Sequence, residues 1–452
     1  MVSDSGELRL GDLLGALTYA LDLTEGQDAG HTLRSCLIGM SLGERLGLDA
    51  GQRSELYYAL LLKDVGCSTN SSRTAALLAA DDQFAKRAHK LSDWTRRGDR
   101  FRWAARVVGR EDPAAERLQR LRMLGRRQGT NREFILLRCE RGAQIAANLG
   151  FPPATATAIY MLDEHWDGSG HPFGRQGDEI PVLARIACLA QTMEVFATAR
   201  GPHAALAVAR RRSGRWFDPE LVARIDPSVL GALPYEADAL AAAVGAHEPP
   251  ERVLHADEAR VSAVAHAFAE VIDAKSPSTG GHSHRVAALA GAAAERLGLP
   301  ADRGFMRAAL LHDIGKLGLS NRILDKPGPL DAREWAAVRT HPLRTEELLS
   351  RVPVLRSHAA VASAHHERLD GSGYPHGLRG GDLSLEARVL AVADVYEALT
   401  ATRPYRAAIA SSDALAMMRG EARAGRLDGD CIEALAAFVD DPHREQGAPT
   451  VR

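Results

Sequence analysis

The chain repeats itself. The run GHTLRSCLIGMSLGERLGL that begins at Gly30 returns as GHSHRVAALAGAAAERLGL from Gly281, and EHWDGSGHPFG from Glu164 returns as ERLDGSGYPHG from Glu367. Two copies of one unit must fold alike, so the second half is a structural cousin of the first. Asp64 and Cys139 lie 75 positions apart, whereas Asp313 and His341, read as their counterparts, lie 28 apart. The first copy therefore carries an insert of about 47 residues between Ser68 and Thr130. Beyond it the copies keep an offset of 202 to 203 positions through Asp167 and Asp370 and on to Arg200 and Arg403.

The local pattern is helical. Val264, Ala265, Phe268, Val271 and Ile272 recur at helical spacing, as do Val389, Leu390, Val392, Ala393, Tyr396 and Leu399. Two-residue alternation between turn signals is nearly absent, and Ala, Leu, Arg and Glu favour helix throughout. The expected fold class is all-α: two tandem helical bundles, the first with a helical insert over about 68–130. The expected boundaries are a first copy over 1–235, a connection over 236–260 where an alanine-rich stretch passes into EPPERV, a second copy over 261–440, and a flexible tail over 441–452.

Composition excludes several classes. A net charge of -2 over 452 residues gives no overall bias toward nucleic acid or anionic membrane. The N-terminal MVSDSGELRL is not a basic region followed by an apolar core, and no uninterrupted apolar run approaches the roughly 20 residues of a membrane span. The expectation is a cytoplasmic protein with no membrane partner. Cys36, Cys67, Cys139, Cys188 and Cys431 are irregularly spaced, which fits buried free thiols and neither a disulfide framework nor a zinc ribbon.

The chemistry concentrates in the second copy. HHERLDGSGYP, over 365–375, joins adjacent histidines to a carboxylate and a glycine-punctuated loop, and LLHDIGK upstream sets His312 beside Asp313 with Lys316 one turn on. Together they read as a metal site facing a phosphate. Hydrolysis of a phosphodiester needs hydroxide at neutral pH and compensation of charge on phosphorus, which two metals about 3.5 to 4 Å apart supply. Lys316 can set a fixed positive charge on a non-bridging oxygen. Gly371 and Gly373 let the loop approach a ligand closely, and Tyr374 can stack on the substrate or hydrogen-bond to it.

HDIGK, the HP dipeptide at His341, HHERLDGSGYP and the downstream AD and RPYR resemble the HD-GYP domain, a family of metal-dependent cyclic di-GMP phosphodiesterases, over Val261 to about Val439. The resemblance implies an all-α fold and two divalent metals, iron first and manganese as the alternative. It implies that His282, His312, Asp313 and Asp394 surround one metal, and that Asp313 bridges to a second held by His341, His365 and His366. It further implies substrate contacts from Arg403 and Arg406. A subset of the family has a glutamate four residues before the first ligand histidine that brings in a third metal; Ser278 stands there, so two metals are expected. The implied activity opens cyclic di-GMP to pGpG and on to GMP. The alternatives are another cyclic dinucleotide or nucleotide as substrate, or a weakly catalytic signalling scaffold.

The first copy reads as degenerate. His31 and Asp64 match ligands, but Lys63 replaces His312, Cys67 replaces Lys316, Cys139 replaces His341, Leu162 and Asp163 replace His365 and His366, and Gln191 replaces Asp394. A lysine at a ligand position disfavours metal binding. This half is expected to regulate, to dimerise or to meet a signalling partner; a soft-metal site of His31, Asp64, Cys67 and Cys139 is the minority reading. The arginine-rich insert reads as solvated helix faces rather than a nucleic-acid surface.

Overall fold

The computed structural model describes residues 8–126, 130–402 and 406–441. Arg403 and all but the first residue of the expected tail lie outside them. Every regular element among the described residues is helical, and β pairing is confined to isolated bridges. Two of these, Asp167 with Gln176 and Asp370 with Arg379, are repeat counterparts. The chain divides into two compact units: residues 8–261 with Ser320–Leu324, and Ser262–Leu319 with 325–441.

In the second unit the helix His282–Arg296 packs on Arg303–Leu311 and Leu385–Thr400. Its buried face sets Val286 and Leu289 among the small residues Ala287, Ala290, Gly291, Ala293 and Ala294. Gly281 before it has φ +72°, a left-handed conformation that costs a side-chain-bearing residue about 1 kcal/mol or more. That turn delivers His282 as the first helical residue. Asp273 fixes the same turn by accepting from the Ser283 amide at 3.2 Å and its hydroxyl at 2.7 Å.

In the first unit His31–Arg45 packs on Ala50–Leu62 and Val182–Arg200. Gly30 has φ +84°, and Asp22 accepts from the Thr32 amide at 3.0 Å and its hydroxyl at 2.7 Å. The copies thus share their turn as well as their helices. Val182–Arg200 is long and apolar enough to cross a membrane by length and composition, but 78% of that window is buried by the fold.

Two expectations are corrected. The stretch 236–260 is part of the first unit, not a free connection. Its helix Ala237–Ala246 buries Leu240 and Val244, and the buried Glu248 accepts from Arg9 and from the Tyr58 hydroxyl. The repeat alignment also shifts by one residue. A Cβ on Gly315 would stand 2.0 Å from the carbonyl oxygen of His341, and one on Gly66 would stand 1.9 Å from that of Arg138. The same crossing therefore pairs His341 with Arg138, not Cys139, and the offset after the insert is 203. Identity alone could not place this register because neither residue resembles its counterpart.

Candidate metal centre

Separate elements of the second unit deliver the predicted ligands. His282 and His341 each open a helix, His312 and Asp313 close the helix Arg303–Leu311, His365 and His366 sit in the 3-10 turn Ala364–His366, and Asp394 lies within Leu385–Thr400. They converge on Asp313. Its Oδ2 lies 3.4 Å from Nε2 of both His282 and His312, and its Oδ1 lies 3.3 Å from Nε2 of His341 and 3.5 Å from that of His365. The two carboxylate oxygens thus face two different histidine pairs. Asp394 Oδ1 is 3.4 Å from His282 Nε2, and Asp394 Oδ2 is 3.8 Å from His366 Nδ1. His282, His312 and Asp394 form one cluster of metal-ligating geometry, and His341, His365 and His366 form another.

The outer nitrogens decide what the inner ones do. His312, His341 and His365 each donate Nδ1–H at 2.7 Å to the carbonyl three residues earlier, on Ala309, Val338 and Ala362. Their Nε2 lone pairs are thereby left pointing inward, as a metal ligand requires. His282 turns its Nδ1 to Glu397 instead, and Arg285 steadies that carboxylate at 2.9 Å. Nε2 of His282 and His312 and Oδ1 of Asp313 are buried with no hydrogen-bond partner. Unmet buried acceptors are rare, and this donor set of imidazoles and carboxylates suits a divalent cation, so the residues fit the implied metals. Burial lowers His341 to about 4 and lowers His365 and His366 as well, so these rings are neutral near pH 7. Burial alone would raise Asp313, but Lys316 and His312 hold it well below the carboxylate range.

Around this centre the predicted residues divide. The Lys316 ammonium donates to Asp313 Oδ2 rather than projecting away, because that buried carboxylate is its anionic neighbour. Gly371 has φ +79°, and a Cβ on Gly373 would stand 2.4 Å from the Arg368 nitrogen, so the loop needs both glycines. Glu367 ties the loop from inside, accepting from the amides of His376, Gly377 and Leu378 at 2.7 to 3.1 Å. The Tyr374 ring lies 4.9 Å from the His366 ring. Arg406 donates Nη2 to the carbonyls of Ala398 and Leu399, where a helix end leaves acceptors unpaired and attracts a cation. Glu397, Arg285 and Glu367 were missed in the sequence. Their signal was survival at constant offset, since Glu194, Arg34 and Glu164 stand at the same places in the first copy.

That first copy keeps the frame and puts cations, Lys63 and Arg138, at the places of His312 and His341. Glu194 accepts from His31 Nδ1 and, at 2.8 Å, from Arg34. The Lys63 ammonium stands at hydrogen-bond distance from Asp64 and 3.1 Å from His31 Nε2, and the Arg138 guanidinium pairs with Asp163. The insert adds to this: Lys90 lies 2.9 Å and Lys86 3.3 Å from Glu25, while Trp94 stacks on His171, the counterpart of Tyr374, with 4.9 Å between centroids. Burial pushes the Cys67 thiol up to about 12 and raises Cys139 well above the usual thiol range, so both stand as neutral thiols beside these charges.

The HD domain family matches residues 120–221 and 266–431. The chain is 42% identical over 434 residues to the 3'3'-cGAMP-specific phosphodiesterase 3 of Vibrio cholerae, covering 94% of each chain. A crystal structure of a cyclic GMP-AMP specific phosphodiesterase from V. cholerae superposes with a TM-score of 0.65 at 37% identity, covering 96% of this chain and 98% of that one. The cyclic di-GMP phosphodiesterase response regulator RpfG of Xanthomonas campestris is 42% identical over 173 residues, 37% of this chain and 45% of its own length.

Proposed function

The chain belongs to the HD-domain family, as a tandem of HD-GYP copies, and on that premise we propose that it is a metal-dependent cyclic dinucleotide phosphodiesterase whose working centre lies in the second unit. The observation that carries this reading is Asp313, whose two oxygens face separate histidine pairs with inward nitrogens, those of His282 and His312 without a hydrogen-bond partner. His282, His312, Asp313 and Asp394 would hold one metal, and Asp313, His341, His365 and His366 the other. Two metals there would supply a nucleophilic hydroxide near neutral pH and offset charge at phosphorus. The chain's own residues supply the rest. The fixed Nδ1 hydrogen bonds hold the imidazoles in one tautomer, and Lys316 brings a positive charge toward a phosphate oxygen. Tyr374, whose phenol is pushed up by burial and by Asp394, stays protonated and can donate to the substrate. Water adds to phosphorus, one bridging P–O bond breaks, the leaving oxygen takes a proton, and the ring becomes a linear dinucleotide.

Cyclic di-GMP is the substrate that the sequence resemblance implies, but we take 3'3'-cGAMP as the first candidate and cyclic di-GMP as the second. The support is extent: the cGAMP-specific relative matches the chain through both copies, whereas the cyclic di-GMP relative matches 37% of it. Incubating the full chain anaerobically with Fe(II) or Mn(II) and each dinucleotide, with products separated by chromatography, tests this. The expected result is metal-dependent linear product, faster from 3'3'-cGAMP. Bound metal without hydrolysis of either dinucleotide would overturn the reading.

A further inference from the structure

We propose that Arg339 holds the phosphate of the cyclic dinucleotide that is not being cut, an inference that rests on the phosphodiesterase reading above. Arg339 closes the helix Ala332–Val338, two residues before the ligand His341, and its side chain is exposed. The guanidinium lies over the Tyr374 ring, 5.3 Å from its centroid, and that ring lies 4.9 Å from His366. A solvent-facing cation is therefore held one aromatic ring away from the metal-ligating cluster. Three other arginines of this unit are committed: Arg285 to Glu397, Arg344 to the Gly318 carbonyl, and Arg406 to the carbonyls of Ala398 and Leu399. No carboxylate among the described residues pairs with Arg339.

The substrate explains why a second cation belongs there. A cyclic dinucleotide carries two phosphodiesters across a closed ring, each with one negative charge near pH 7. When one is placed against the His–Asp cluster and Lys316, the other must sit at the mouth within a ring's width, where water alone would otherwise solvate it. The planar fork of an arginine fits two phosphate oxygens, and the face of Tyr374 holds that fork in place before the ligand arrives. Arg339 is thus a positioning residue. It acts on binding of the ring and does not touch the phosphorus that reacts.

The test compares Arg339→Ala and Arg339→Lys with the unaltered chain on two substrates, 3'3'-cGAMP and bis(p-nitrophenyl) phosphate, which has a single phosphodiester. We expect Arg339→Ala to raise the ratio of KM for the cyclic dinucleotide to KM for the single diester by about tenfold, on the scale of one charge-assisted hydrogen bond. Arg339→Lys should recover part of that ratio. An unchanged ratio, or equal losses on both substrates, overturns the inference while leaving the phosphodiesterase reading standing. Turnover of the single diester with none of any cyclic dinucleotide by the unaltered chain overturns both.

Discussion

Glu397 does for His282 what main-chain carbonyls do for His312, His341 and His365. It accepts Nδ1–H and so leaves the Nε2 lone pair facing inward, available to a metal. Removing such an outer partner costs about 10- to 100-fold in metal affinity in comparable sites. Glu397→Ala should therefore weaken metal binding by that factor in a chelator competition titration; unchanged affinity would show that His282 needs no orienting partner. Lys316→Ala should keep its metal and lose about 10²- to 10³-fold in kcat, the scale of one lost charge-stabilising donor. The cluster of His and Asp side chains around Asp313 was legible in the sequence because its residues stand in runs that packing does not explain. For Arg406 the motif gave position along the chain and not direction in space. Its guanidinium serves the carbonyls of Ala398 and Leu399.

Helices that open or close on a ligand put small residues under tight demands. The Gly315 turn lies so close to the His341 carbonyl that any side chain must push the two apart. The same holds for Gly373 against the backbone of Glu367 and Arg368. Gly373→Ala should displace the loop that carries Tyr374, raising KM for the dinucleotide with metal content kept; an unchanged KM would show that the loop does not contact substrate. In the first unit the equivalent helices hold Lys63 and Arg138 among buried carboxylates. Removing one partner of a fully buried pair costs about 3 to 5 kcal/mol, because the remaining charge is stranded. Lys63→Ala should lower the unfolding free energy of the first unit by that amount in denaturant titration, and a loss below about 1 kcal/mol would show that Asp64 is compensated by Lys90 alone. The helical class and the repeat were readable from spacing. The register at Arg138 and the role of 236–260 were not, since both depend on which backbones cross and which buried carboxylate needs Arg9.

At the scale of the whole molecule, two copies of one frame have been put to different uses. One leaves inward nitrogens around Asp313, and the other fills the same frame with Lys63, Arg138 and the lysines of its insert. The chain should therefore bind metal in one copy and not in both. The most direct measurement is metal content together with cyclic dinucleotide turnover of the full chain, purified anaerobically and reconstituted with Fe(II) or Mn(II), beside its Asp313→Ala and His365→Ala variants. The account predicts two equivalents per chain and metal-dependent hydrolysis in the unaltered protein, with turnover abolished in both variants and the metal lost from Asp313→Ala. Four equivalents per chain, or full activity surviving in Asp313→Ala, would contradict it.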